Sequence, residues 1–215
     1  MAKTYNKFIL VVILINLSLN ASDQHLEAVS YLTGFNNQTI SYDKARIIAD
    51  VLIERNEVLG YCIRGSIALS NGSFSKARKY YSDAYDSGDL LKYSHKEPHI
   101  AHYFLGTYFM LVEPVDYISA NAHFKKSSDL KFGPSMASYG INLILGNGTA
   151  RNESLGVYYL IEGMRENCPA SYYNYSNYLL SIRQERKKTA KAYLEYALAR
   201  GFNMASLSLN KHFKE

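Results

Sequence analysis

Residues 135–163 read SMASYGINLILGNGTARNESLGVYYLIEG. Apolar and small residues at helical spacing precede Gly146-Asn147-Gly148, and a second such run follows it. Glycine and asparagine at that centre supply a tight turn. Gly140 in the first run, like Gly65 and Gly106 in earlier units, falls where a first helix must approach a neighbour closely. A helix pair this short cannot bury its apolar faces alone. The pattern therefore predicts stacking on neighbours of the same kind.

Those neighbours appear on both sides. The second-helix pattern recurs as YDKARIIAD at 42–50, FSKARKYYSDA at 74–84, ANAHFKKSS at 120–128, GVYYLIEG at 156–163 and AKAYLEYALARG at 190–201. A small residue heads each of the last four (Ala77, Ala120, Gly156, Ala190), and another lies seven positions on (Ala84, Ser127, Gly163, Ala197). An aromatic sits at +4 in Tyr81 and Phe124, and at +3 in Tyr159 and Tyr193. Steps of 3, 4 and 7 place these residues on one helical face. First helices are expected at 57–70, 101–112, 135–145 and 170–181, with turns at Asn71-Gly72, Glu113-Pro114 and Gly146-Asn147-Gly148. The steps between units are 43, 36 and 34 residues, the first absorbing a polar linker at 92–98. No strand-like alternation occurs beyond the N-terminal segment. The expected architecture is all-α, a right-handed α-solenoid with repeats at 23–56, 57–91, 99–133, 134–168 and 169–204 and a C-terminal cap at 205–215.

Composition agrees. Of 215 residues, 47% are hydrophobic and 20% charged, which excludes intrinsic disorder. There are 20 tyrosines and no tryptophan. The two cysteines cannot form a disulfide framework. Cys62 and Cys168 stand about three repeats apart, so at roughly 8–10 Å per helix pair they are expected some 25–30 Å from each other and unbonded. Lys3 and Lys7, the apolar run at 8–19 and the small-residue exit Asn20-Ala21-Ser22 predict a cleaved signal peptide at 1–21. The run is too short to span a bilayer. The mature chain is expected to be soluble, exported and periplasmic, with no membrane span. Losing Lys3 and Lys7 lowers the net charge from +5 to +3, too weak a bias for nucleic acid.

The segment 135–163 resembles the Sel-one-like repeat, a relative of the tetratricopeptide repeat. Gly140 matches its first-helix glycine, Gly146 and Gly148 its loop glycines, Asn152 its polar loop position, and Gly156, Tyr159 and Gly163 its second-helix pattern. Residues 190–205 resemble its second-helix ending, while the unit Gly65…Ala77…Tyr81…Ala84 has the shorter gap of a plain tetratricopeptide repeat. The resemblance covers about 57–205 and is strongest in 135–205. It implies a protein-binding module, and similarity to small exported members implies an immunity protein that neutralises a secreted toxin such as a phospholipase. An envelope adaptor or regulator is the alternative, and a secreted hydrolase a weaker one.

Catalytic signatures are sparse. His95, His99 and His102 have spacing that suits a metal if helical, but Pro98 favours the first position of a helix and leaves His95 in the linker. No metal or cofactor is expected. Ser-x-x-Lys starts at Ser41, Ser73, Ser128 and Ser208 without the companion motifs of serine acyl-enzymes. Ser41 and Ser73 precede second helices and read as N-caps. Six Asn-x-Ser/Thr sequons lie at Asn20, Asn37, Asn71, Asn147, Asn152 and Asn174, and four of them (Asn37, Asn71, Asn147 and Asn152) fall in predicted turns, where turn chemistry is a better reading than glycan sites.

Helical repeats present a concave groove lined by first helices. Once packing positions are subtracted, His102, Tyr103, Thr107, Tyr108, Asn142, Tyr172, Tyr173, Asn174, Asn177 and Tyr178 remain as candidate binding residues for another protein. Tyrosine and asparagine suit such recognition.

Overall fold

A computed structural model describes residues 21–182 and 186–213. The expected signal peptide, except its last residue, lies outside the described residues. Among the described residues twelve α-helices run in order: α1 (Ala21–Thr33), α2 (Tyr42–Glu54), α3 (Val58–Ser70), α4 (Phe74–Asp86), α5 (Asp89–Tyr93), α6 (Pro98–Phe109), α7 (Tyr117–Asp129), α8 (Gly133–Leu145), α9 (Glu153–Arg165), α10 (Pro169–Ile182), α11 (Lys187–Ala199) and α12 (Met204–Phe213). No strand occurs among the described residues. Each helix packs on its sequence neighbour, and α8 also touches α10 and α1 touches α3, so pairs stack on pairs. The fold is an α-solenoid of helix pairs.

The repeat frame explains the packing. Ala77, Ala120 and Ala190 are fully buried, as are Ser127 and Ala197 at +7, and Gly156 and Gly163 are buried with them. The position at +4 is the large buried one in every unit: Tyr81, Phe124, Leu160 and Leu194. Tyr159 and Tyr193, one residue earlier, are half-buried on the seam between paired helices. The +4 side chain docks against the glycine of the facing first helix. A Cβ at Gly65 or Gly106 would lie 2.6 Å from the ring of Tyr81 or Phe124. At α8–α9 the contact is backbone to backbone, since a Cβ on Gly156 would lie 2.6 Å from the carbonyl of Gly140.

Side-chain caps close the starts of α7 and α9. Asp116 accepts from the Ser119 amide at 2.9 Å, and Asn152 from the Leu155 amide at 3.0 Å. Ser41 and Ser73 hold the N-cap positions of α2 and α4, but neither hydroxyl makes a capping bond. Pro98 opens α6, which leaves His95 exposed in the preceding turn. The linker at 92–98 begins inside α5, whose Leu90 and Tyr93 are buried. Cys62 and Cys168 are both buried and unbonded.

The stack does not run straight. The connector between α1 and α2 reaches elements from four later turns. Gly34, in the left-handed region at φ 77°, has no room for a side chain because Pro169 at the start of α10 would lie 2.8 Å from its Cβ. Phe35 packs on Phe132 and on His99, with ring centroids 4.9 and 6.1 Å apart. Arg200 donates to the Asn37 side chain at 2.6 Å and to the Gln38 carbonyl at 2.8 Å, and its own carbonyl accepts from the Ile40 amide at 2.9 Å. Seven residues extend over about 25 Å at most. Such a short segment meets the starts of α6, α8 and α10 and the end of α11 only where those ends converge, on the inner side of a curled stack. An open groove was expected there; the first pair's own connector occupies part of it.

Candidate functional site

The ten predicted binding residues do not form one open surface. Asn142 is buried, donating to Asn121 at 2.8 Å, while Asn121 donates to the Asn147 carbonyl at 2.6 Å. This amide chain ties α8 to α7 and to the following turn. His102 meets His123 across the α6–α7 pair, Nδ1 to Nδ1 at 2.9 Å. Burial, with the neighbouring His102 and then Lys126, lowers the His123 pKa to about 4, and burial followed by Lys126 lowers that of His102. Phe109 stacks flat on His123. Tyr103 sits among Phe104, Phe124 and Phe132. Thr107, the tenth candidate, donates to the Tyr103 carbonyl. Tyr108 stacks on Tyr85 with centroids 4.1 Å apart.

The tyrosine-rich helix α10 is similarly committed. Tyr172 lies against Tyr193 and Tyr196 of α11, and Tyr173 against Phe202. Asn174 donates to the Ala137 carbonyl of α8 at 3.2 Å. Asn177 accepts from Ser208 of α12 at 2.8 Å. The Tyr178 hydroxyl donates to Glu153 at the start of α9 at 2.6 Å. Each ring keeps an edge at solvent, so the helix presents a partly exposed wall held by its neighbours. Spacing alone does not reveal this, because a tyrosine between helices and one facing a groove follow the same period.

A surface that the sequence reading missed runs along the edge formed by the turns within each pair. Phe74 opens α4, Val115 and Ile118 flank the start of α7, Leu145 ends α8, Leu155 lies in the first turn of α9, and Ile182 ends α10. All six are exposed, Ile118 to 73% and Phe74 to 63%. The signal was present in the sequence as large apolar residues at helix ends. Periodicity methods weigh the helix middle and pass over it.

A polar constellation lies at the opposite, N-terminal end. Glu57 contacts His25 Nε2, and His25 Nδ1 lies 3.1 Å from the Tyr93 hydroxyl. Burial first, then Glu97 and Glu57, raises the Tyr93 pKa, so the phenol stays neutral. These groups line a pocket of about 220 Å³ with Asp89, Lys92 and Lys96. It ties α1, α3 and α5 together. Among the described residues, no three His, Cys, Asp or Glu side chains are grouped to hold a metal ion.

The geometry defines a class, a curled stack of helix pairs with an apolar turn edge. No family model matches the chain, and no curated protein does. Among solved structures it is similar to a Sel1 repeat protein from Oxalobacter formigenes, with 17% identity over 91% of this chain and 79% of that one, at a TM-score of 0.48. It is also similar to a protective antigen of uropathogenic Escherichia coli strains displaying an SLR fold, with 15% identity over 91% of this chain, at a TM-score of 0.46. The chain spans 50% of that antigen's length.

Proposed function

We propose that the protein is a non-catalytic recognition module that binds another protein along its turn edge. The row from Phe74 to Ile182 is the observation that supports this reading. Isolated exposed apolar residues are ordinary, but these recur at the turn end of successive pairs, which suits a docking edge. Of the expected concave site, the tyrosines contribute where their ring edges remain at solvent, as at Tyr172, Tyr173 and Tyr178. Lys3, Lys7 and the apolar run at 8–19 support export to the periplasm. The resemblance of 135–205 to the Sel-one-like repeat, whose small exported members are similar to immunity proteins, supports an immunity role in which the partner is a secreted toxin such as a phospholipase. The test is affinity capture from a periplasmic fraction with the wild type and with Ile118→Asp/Leu145→Asp. A protein captured by the wild type and lost from a variant with unchanged melting is the expected result. Identical capture by both would remove the turn edge from recognition, and fractionation that leaves the chain in the cytoplasm would remove the periplasmic role.

A further inference from the structure

Three basic side chains converge on a cleft between α2, α3 and α4. Arg46 comes from α2, Arg64 from α3 and Lys76 from the first turn of α4. With Asn71, Ser73 and Tyr80 they line a cavity of about 220 Å³ floored by Ile67 and Ala68. No carboxylate lines it. The pocket at His25 differs, because Glu57 and Asp89 balance its lysines.

The donors are oriented and only partly used. Arg46 reaches Asp43 at 3.5 Å and Arg64 reaches Asp50 at 3.4 Å, long contacts that engage one nitrogen each. A guanidinium carries five N–H donors, so most remain for another acceptor. Arg64 is held over the ring of Tyr80, 5.9 Å from its centroid. Ser73 is the N-cap whose hydroxyl makes no capping bond, so its O–H and the first amides of α4 add to the donor set. The cleft continues past Arg46 into a second cavity of about 370 Å³, lined by Ser41, Tyr42, Asn203 and the Asp43 carboxylate that pairs with Arg46.

We propose that this cleft binds a small phosphate-type oxyanion, inorganic phosphate or a phosphomonoester with a hydroxylated body. Three cations from three helices surround a tetrahedral dianion, whereas a planar carboxylate is satisfied by one guanidinium. The hydroxyl and amide groups of the second cavity match the substituent of a monoester. The site adjoins the turn-edge strip at the start of α4, where it uses the Phe74 amide, but no side chain of the strip lines the cavity.

The full chain is titrated calorimetrically at low salt with inorganic phosphate and with glycerol 3-phosphate. Saturable binding with one site per chain is expected at about 1 mM or tighter. Arg64→Gln is expected to weaken it about tenfold or more, and the exposed Lys76→Gln several-fold, whereas Lys125→Gln on α7 leaves it unchanged. If Arg64→Gln fails to fold, Lys76→Gln carries the test. Absence of saturable heat to about 20 mM of either probe overturns the proposal. So does equal weakening by Lys125→Gln. Vesicles of phosphatidic acid against phosphatidylcholine separate the two sources of phosphate: Lys76-dependent retention on the former identifies a lipid headgroup, and binding of the free probes alone identifies a soluble ligand.

Discussion

The two ends of the stack bury themselves differently. From α1 to the start of α8 a single core runs from Ala28 to Phe132, with Tyr81, Phe104 and Phe132 fully enclosed. At the C-terminal end, Leu194, Ala197 and Ala205 form a small core fringed by half-buried Tyr172, Tyr173, Phe202 and Phe213. An inner pair has neighbours on both sides, and the curl adds the α1–α2 connector as a third. The last pair has one neighbour, a cap, and the connector only at its ends, through Pro169 and Arg200. Tyrosine suits that place, because its ring packs while its hydroxyl stays wet. A second contrast lies in volume. Where a glycine faces an aromatic, as at Gly65 and Tyr81, the ring fills the gap; where glycine faces glycine at α8–α9, the backbones close it. The same repeat position tolerates different sizes because its partner compensates.

The sharpest way to break this comparison is to remove one ring from each end. Tyr81→Ala opens a void in the enclosed half and is expected to cost about 3–5 kcal/mol. Tyr172→Ala, at a half-exposed position, is expected to cost about 1–2 kcal/mol. Urea titrations of both proteins measure the difference. Equal losses would mean that the ends are packed alike.

Much of the fold was legible because small residues seven apart cannot be mistaken for a strand or a loop. Ala77 with Ala84, and Ala190 with Ala197, mark buried faces from spacing alone. Tyr159 and Tyr193 misled in register: the eye follows the aromatic, but the buried site is the neighbouring leucine, Leu160 or Leu194. The curl was not legible. It depends on Arg200 meeting Asn37 and Gln38, a contact across more than 160 residues with no motif to announce it. The candidate site suffered from the same cause, since Asn142 and Tyr178 look like free polar groups until the neighbouring turn supplies Asn121 and Glu153.

The clasp between the two ends gives an intermediate effect. Arg200→Ala removes side-chain bonds to Asn37 and Gln38 and is expected to cost about 1–3 kcal/mol. The loss should be local. Amide exchange at residues 35–40 is expected to accelerate more than exchange in α3 or α7. Uniform acceleration along the chain would show that the connector belongs to the core rather than closing it. No change at all would show that the curl does not depend on this clasp.

The smallest expected effect concerns the half-buried seam between α6 and α7. With Nδ1 of His102 facing Nδ1 of His123, one nitrogen carries hydrogen and the other must offer a lone pair. Protonating both rings breaks that bond and sets two charges beside Lys126. The folded pKa of His123 is therefore near 4, below the ordinary 6.5, and that of His102 is lowered too. The unfolded chain takes up protons as pH falls through 6.5, while the folded chain resists until about 4. The contribution of the pair is thus complete above pH 6.5 and lost progressively down to about 4, below which it levels. Solvent reaches part of both rings, so the loss is expected to be on the order of 1 kcal/mol rather than the full value of the shift. Carboxylates elsewhere titrate over the same range, but they do so equally in a protein carrying His123→Gln. Glutamine keeps a hydrogen-bonding group near His102 and does not titrate. Melting curves of wild type and His123→Gln at intervals from pH 7.5 to 4 therefore isolate the seam, and the wild type should lose the greater stability. Parallel curves would show that the two rings accept protons in the folded state, so that the seam opens without cost to the rest of the stack.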